Sequence, residues 1–347
     1  GQGGGTRRRR DWICKPVAGS QHGYVSLMSA ESACVLAISG GVGGAKLALG
    51  LDRLLAPGQL EVMVNTGDDF EHLGLHISPD IDTLLYTLSG RANQALGWGL
   101  EGESWSTMDA LAQLGGDTWF RLGDRDIATH LFRTGRLARG DDLARITADL
   151  AVQMAIDTAV HPMSCDPVRT IVHCDEGDLP FQHYFVRRQC EPSVSGFSFD
   201  GVEQATPNPR VMQQLADNRF SHIVICPSNP FVSIDPVLQL PGIWPALRDC
   251  AAPVIMVSPI VDGLALKGPA AKMMAELQVP VTALGVARHY ARKYPGLVDY
   301  FLIDDSDATL APDINGLGFG AIVVPTIMNS LQSKIDLAGH CLALEAR

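Results

Sequence analysis

The sequence predicts an α/β protein: a doubly wound, mostly parallel sheet carrying a mainly helical insertion. Three observations predict it. A short apolar run, Cys34–Ile38, leads directly into a glycine-rich turn and an amphipathic helix. Apolar runs alternating with helical segments return in the C-terminal half. Between the halves, residues from about 84 to 160 space their apolar positions three and four apart, the helical period. Strand, glycine turn, helix, strand is the opening of a Rossmann-like sheet.

The elements follow in order. Cys34-Val35-Leu36-Ala37-Ile38 has the continuous hydrophobicity of a strand covered on both faces. Ser39-Gly40-Gly41-Val42-Gly43-Gly44-Ala45-Lys46 forms the turn, and Leu47, Leu51, Leu54 and Leu55 then line one face of a helix. Pro57-Gly58 ends that helix, and Val62-Met63-Val64 is the second strand. Residues 168–205 read as extended, with β-rich pieces at Arg169–His173 and Tyr184–Val186. Ile223–Cys226, Val254–Val257, Val281–Val286, Tyr300–Ile303 and Ala321–Val324 are read as further strands, with a helix over Lys272–Leu277. The core is thus expected from about 33–83 and 206–330, with 84–205 inserted.

The segment before Met28 differs in kind. Gly1–Gly5 is nearly all glycine, and Arg7–Arg10 is followed by no apolar stretch of the kind a secretory signal needs. Residues 1–27 are expected to be a disordered, solvated tail, with Met28 a candidate start. The whole 347-residue chain is 46% hydrophobic and 19% charged, enough to bury a sizeable core. The 27 Lys and Arg against 38 Asp and Glu give a net charge of −11. Such an acidic chain is unsuited to wrapping nucleic acid or coating anionic lipid, and no apolar run is long enough to cross a bilayer. Eight cysteines lie scattered, with no Cys-x-x-Cys pair. They are expected to be mostly buried, reduced and inert, as in a cytoplasm.

The glycine turn carries the first chemical signal. Glycines after a buried strand let the backbone approach a phosphate, and the following helix aims its free N–H groups at the anion. The alternative is a tight turn that only packs helix on sheet. The turn fits neither common nucleotide motif. Ala45-Lys46-Leu47 stands where a P-loop has Gly-Lys-Ser/Thr, and Lys46 stands where the dinucleotide fingerprint needs glycine. Lys46 adds a point charge within reach of a phosphate oxygen.

The second signal is acidic. Asn65-Thr66-Gly67-Asp68-Asp69 closes the second strand, and Ser78-Pro79-Asp80-Ile81-Asp82-Thr83 follows. Carboxyl ends of strands are where open α/β sheets bind ligands. Carboxylates gathered beside a diphosphate suit magnesium; equally, Asp and Asn are common as helix caps and turn residues. His72 and His76 are four apart but Gly74 intervenes and no third soft ligand is evident, so zinc is not expected. Trp119–Asp126 alternates Arg and Asp beside aromatics, and Met163–Thr170 is a loop entering a strand.

Together these segments resemble the 2-phospho-L-lactate transferase family, which builds the deazaflavin hydride carrier coenzyme F420. The resemblance rests on Gly40–Lys46, Asn65–Phe70, Ile77–Thr83, Leu122–Asp126, Asp166–Thr170, Pro227–Pro230 and Lys267–Ala270, in order along nearly the whole chain. It implies transfer of a phospholactyl, phosphoenolpyruvyl or phosphoglyceryl group from a guanosine diphosphate-linked donor. The acceptor it implies is the ribityl hydroxyl of 7,8-didemethyl-8-hydroxy-5-deazariboflavin (Fo), and GMP leaves. By the same resemblance the insertion binds the acceptor, and Asp82 and Arg121 are the acceptor-binding aspartate and basic residue, both catalytic candidates. Asp69 joins them as a catalytic candidate, and Asp68, Asp69, Asp80 and Asp82 are candidate Mg2+ ligands. Gly40, Gly41, Gly43, Gly44, Lys46, Ser228, Asn229, Ser258 and Lys267 are expected around the nucleotide. A cytoplasmic enzyme acting on small molecules, and capable of forming a homodimer, is implied. Two positions depart from the family pattern: Cys165 and Pro325 stand where aspartate is common. The competing expectation is a non-catalytic nucleotide-sugar-binding regulator of the same superfamily.

Overall fold

The structure, a computed structural model, describes residues 34–265 and 268–346. The expected tail over 1–27, Cys14, and the candidate Lys267 lie outside the described residues.

The apolar run after Ala33 becomes strand β1 (Cys34–Ser39), with every residue buried. Its side chains alternate between two cores. Leu36 and Ile38 enter one hydrophobic cluster, and Val35 and Ala37 enter the other. Burial on both faces is why the run is continuously apolar rather than alternating.

Beyond β1 the strands are β2 (Leu60–Val64), β3 (Ala159–Pro162), β4 (Phe220–Ile225), β5 (Val254–Val257), β6 (Tyr300–Ile303) and β7 (Gly320–Val323). They form one seven-stranded sheet in the order β7-β6-β5-β4-β1-β2-β3. Every pairing is parallel; Ile38 of β1 faces Met63 of β2 on one side and Ile225 of β4 on the other. The chain winds outward one way from β1 to β3 and the other way from β4 to β7. The order therefore reverses between β1 and β4, and the carboxyl ends of those two strands frame a crevice.

Helix α1 (Gly41–Leu54), helix α2 (Pro79–Leu88) and the C-terminal helix Leu331–Leu342 share one core, through Leu47 and Leu51, Ile81 and Leu85, and Leu337 and Cys341. The inserted region supplies helix α3 (Asp124–Leu137), the helices Ser106–Gln113 and Leu143–Gln153, and a separate three-stranded antiparallel sheet over Arg169–Asp200. Among the described residues no helix is long and apolar enough to cross a membrane.

Three expectations need correction. Val281–Val286 is not a strand. Thr282 caps a helix over Ala283–Lys293, its hydroxyl accepting from the Gly285 N–H at 3.0 Å. Ala283, Ala287 and Tyr290 are buried at helical spacing, so packing of one face overrides the β-favouring Val-Thr start. Tyr184–Val186 lies in a π-helical turn, His183–Arg187, rather than an extended piece. Ala159–Pro162, at the end of the stretch read as mostly helical and inside the expected insertion, adds the edge strand β3 beside β2; an edge tolerates its proline. The cysteines also divide. Cys34, Cys226 and Cys341 are buried, Cys165 is exposed, and Cys174, Cys190 and Cys250 are half-buried, all free.

Candidate active site

The glycine turn occupies the reversal point of the sheet. Gly41 has φ +64°, a left-handed conformation that glycine adopts without steric cost, and it starts α1 directly after β1. Gly43 is needed for a different reason: a Cβ there would sit 2.2 Å from the Pro227 carbonyl oxygen of the loop after β4. Gly40 donates its N–H to Ser228 Oγ at 3.2 Å, joining the two sides of the crevice. Gly44 packs against Ser39 and Ser228, where an added Cβ would lie 2.4 Å and 2.7 Å from their hydroxyl oxygens. Gly40 at the cap of α1 has no side chain and the first turn carries no acid of its own; the Asp80 carboxylate faces this helix end instead, its charge favoured by the Gly41 N–H.

That crevice is the floor of a cavity of about 840 Å³. Gly40 at the cap of α1 and Gly41, Gly43 and Lys46 within it line the cavity, and Ser228, Asn229 and Ser258 line it from the loops after β4 and β5. The side chains of these loops also hold the loops in shape. Asn229 Oδ1 accepts from the Phe231 N–H at 3.0 Å, and Ser258 Oγ donates to the Ile260 carbonyl at 2.9 Å.

Of the four acidic candidates, two reach the cavity wall. Asp80 is brought there by the first turn of α2, where Pro79 fixes the helix start. Its Oδ2 accepts from Asn65 Nδ2 at 2.9 Å, and the same amide nitrogen lies 3.3 Å from the Val232 carbonyl. Burial pushes the Asp80 carboxyl up to about 6, against the Asn65 hydrogen bond that favours its charge. Asp68 also lines the cavity; burial first, and the neighbouring Asp80 second, raise its carboxyl well above the usual range. Its Oδ1 is buried with no hydrogen-bond partner.

Asp69 and Asp82 are not on the wall, which corrects the expectation that all four acids gather around one ligand. Asp69 Oδ2 accepts from Ser78 Oγ at 2.8 Å and lies 3.1 Å from His76 Nε2, tying α2 to the hairpin Phe70–Ile77. Asp82 points away from the crevice into helix α3. The fully buried Arg133 grips both its oxygens, Nη1 to Oδ2 at 3.1 Å and Nη2 to Oδ1, and reaches the His76 carbonyl at 3.3 Å. Asp82, Asp126 and His130 offer donor atoms within 4.8 Å of one another, but Arg133 already supplies the positive charge that Asp82 needs. Helical period explains the split: residues two apart on a helix face different directions, so only one of Asp80 and Asp82 can look into the crevice.

Aromatic side chains line much of the far wall of the cavity. Trp119 and Phe120 stand edge to face at 5.7 Å, and Phe70 meets Phe120 at 4.9 Å. Arg121 is exposed on this wall, with its guanidinium 4.4 Å from the centroid of Trp105. Phe181 and Phe185, stacked at 5.5 Å and 7°, also line the cavity, and Trp119 meets this segment at His183 with ring centroids 4.8 Å apart. Sequence reading missed Phe181–Gln189 and Thr326–Asn329 as wall segments. The aromatic density near 181–185 was visible, but nothing local tied it to a strand end more than a hundred residues away.

The two departures from the family pattern sit differently. Cys165 does not line the cavity; beside it, Asp166 Oδ2 accepts from the Thr206 N–H at 2.7 Å. Pro325 is exposed, while the adjoining Thr326 does line the cavity, held by Asp304 Oδ2 through its N–H at 2.9 Å and its hydroxyl at 3.1 Å.

The chain matches the model of the family 2-phospho-L-lactate transferase CofD over residues 35–313. It is 36% identical over 315 residues to a protein of Streptomyces griseus named phosphoenolpyruvate transferase, covering 89% of this chain and 98% of that one. A protein of Methanosarcina mazei named 2-phospho-L-lactate transferase is 35% identical over 304 residues, covering 88% of this chain and 98% of that one. A Mycobacterium ulcerans phosphoenolpyruvate transferase reaches 40% over 287 residues, covering 77% and 87%. Among solved structures, a UPF0052 family member from Bacillus halodurans superposes with a TM-score of 0.60 at 16% identity. It covers 90% of this chain and 100% of its own, a likeness of fold.

Proposed function

Because the chain belongs to the 2-phospho-L-lactate transferase family, a family of transferases, we propose that it works in coenzyme F420 biosynthesis. It moves a three-carbon acid with its phosphate from a guanosine diphosphate-linked donor to the terminal ribityl hydroxyl of Fo. The hydroxyl oxygen forms a bond to the phosphorus that bears the acid, the bond from that phosphorus to the GMP oxygen breaks, and GMP leaves. The hydroxyl proton departs to water as the new bond completes.

The observation that supports this reading is the juxtaposition inside one cavity of about 840 Å³ of an amide-lined turn and an aromatic wall. A diphosphate needs N–H groups and positive charge, which the first turn of α1 and Lys46 offer. A deazaflavin has flat aromatic faces, which Trp119, Phe120, Phe181 and Phe185 suit. Arg121, stacked over Trp105, is positioned at the acceptor end.

The residues also fit a divalent cation. Asp68 and Asp80 are buried carboxylates whose charge repels, and Asp68 Oδ1 lacks a partner. These two residues would hold magnesium. When bound, the ion would offset the charge of the diphosphate and of the departing GMP.

The test is to incubate the protein with Fo, magnesium and, separately, the phospholactyl, phosphoenolpyruvyl and phosphoglyceryl donors, and to weigh the products. A phosphodiester of Fo together with GMP from one donor is expected. No product from any donor, with tight binding of a uridine diphosphate sugar, would replace this reading with that of a non-catalytic nucleotide-sugar binder.

A further inference from the structure

Building on the transferase reading, we infer that Gln182 selects the acceptor by pairing with the imide edge of a flat, fused-ring heterocycle. Gln182 lines the cavity and is only 5% exposed, yet its side-chain amide makes no hydrogen bond to any described residue. The amide atoms are not among the fully buried unpartnered ones, so they open onto the cavity and meet whatever fills it. A side chain that borders a cavity without a partner is therefore matched to a group that the ligand brings.

The surroundings define that group. Gln182 precedes the π-helical turn His183–Arg187, and such turns are short interruptions that recur at functional sites. The turn sets Phe181 and Phe185 in parallel, 5.5 Å apart, which gives this wall a flat apolar face. Trp119 from the adjoining segment packs on the turn through His183, with ring centroids at 4.8 Å. No acid lines the cavity within this segment, whose only polar wall residues are Gln182 and Gln189. The ligand part that belongs here is accordingly uncharged, planar and hydrogen-bonding.

An amide presents one acceptor and two donors side by side. Its complement is a ring edge carrying an N–H between carbonyls, as in the pyrimidine-dione ring of a deazaflavin. Guanine carries a related edge, but the nucleotide-facing loops follow β1, β4 and β5, whereas Gln182 lies in the inserted region.

The experiment is calorimetric titration of Fo, of Fo methylated on the imide nitrogen, and of GDP into the wild-type protein and Gln182→Met. Methionine keeps the length of the side chain and removes its polarity. Fo is expected to bind the variant about tenfold more weakly, with GDP affinity and melting temperature unchanged. The methylated analogue is expected to lose about the same factor on the wild-type protein and almost nothing further on the variant. That second comparison does not depend on how well the variant folds. An analogue penalised equally on both proteins would overturn the pairing, as would a variant that loses GDP rather than Fo. Absence of Fo binding to the wild-type protein, with GDP still bound, would instead remove the transferase reading and this inference with it.

Discussion

Replacing Gly43 by alanine tests how the turn is built. The added Cβ would lie 2.2 Å from the Pro227 carbonyl oxygen, a backbone atom that no rotamer change can move. Ordinary contact begins near 3.4 Å, so α1 and the loop after β4 must separate by about 1 Å. Overpacking of this kind costs about 1–3 kcal/mol, a fall of several degrees in melting temperature for a chain of this size. The effect on binding is expected to be larger in proportion. The same shift moves the first-turn amides of α1 relative to Ser228 and Ser258, and a 1 Å misplacement of binding groups lowers function by roughly a hundredfold. Gly135 supplies the control: it lies inside α3 with nothing within 4 Å of an added Cβ, so Gly135→Ala is expected to be neutral or to stabilise by about 0.5–1 kcal/mol. Differential scanning calorimetry and titration of GDP check both variants. A Gly43→Ala protein that melts like the wild type and binds GDP equally well would refute the close-approach argument, and with it the claim that the turn holds the nucleotide.

Three further outcomes follow from the site and its supports. Arg133→Met leaves the Asp82 carboxylate buried without its partner and is expected to cost about 3–5 kcal/mol, while the double variant Arg133→Met with Asp82→Leu recovers most of that in a denaturant melt. If the double variant is no better than the single one, the cluster is not held by that ion pair. Burial opposes the charge of Glu61, but hydrogen bonds from His161, Gln214 and Arg210 hold its carboxyl at about 2, below the ordinary 4.5. Because its folded pKa is depressed, it contributes roughly 3 kcal/mol that is complete above pH 4.5 and disappears as pH falls toward 2; Glu61→Gln should flatten that part of the stability profile. Arg121→Ala is expected to lower turnover at least tenfold with an unchanged melting temperature, since the side chain is exposed and touches Trp105 rather than the core. Full activity in that variant would exclude Arg121 from the acceptor end.

Much of this fold is legible as local pattern. Continuous apolar runs mark β1, β5, β6 and the Val62–Val64 part of β2, because a strand buried on both faces has no solvent side for polar residues. Where local pattern failed, a distant surface decided. Val281–Val286 has strand-like residues, yet the helix begins there because Thr282 can cap it and one face has a core to enter. Ala159–Pro162 is a short, half-polar edge whose only claim to the sheet is the open side of β2.

The candidate site divides along the same line. From the order of residues alone came the strand–glycine–helix junction, the acids behind β2, and the family to which those segments belong. Which of those acids meets the crevice, why Gly43 tolerates no side chain, and how Gln182 comes to line the same cavity were set only by packing. Spacing along a chain says which side chains share a face, because backbone geometry is periodic. What stands across the gap from that face is another part of the chain, brought there by the burial of both, and no local period encodes it.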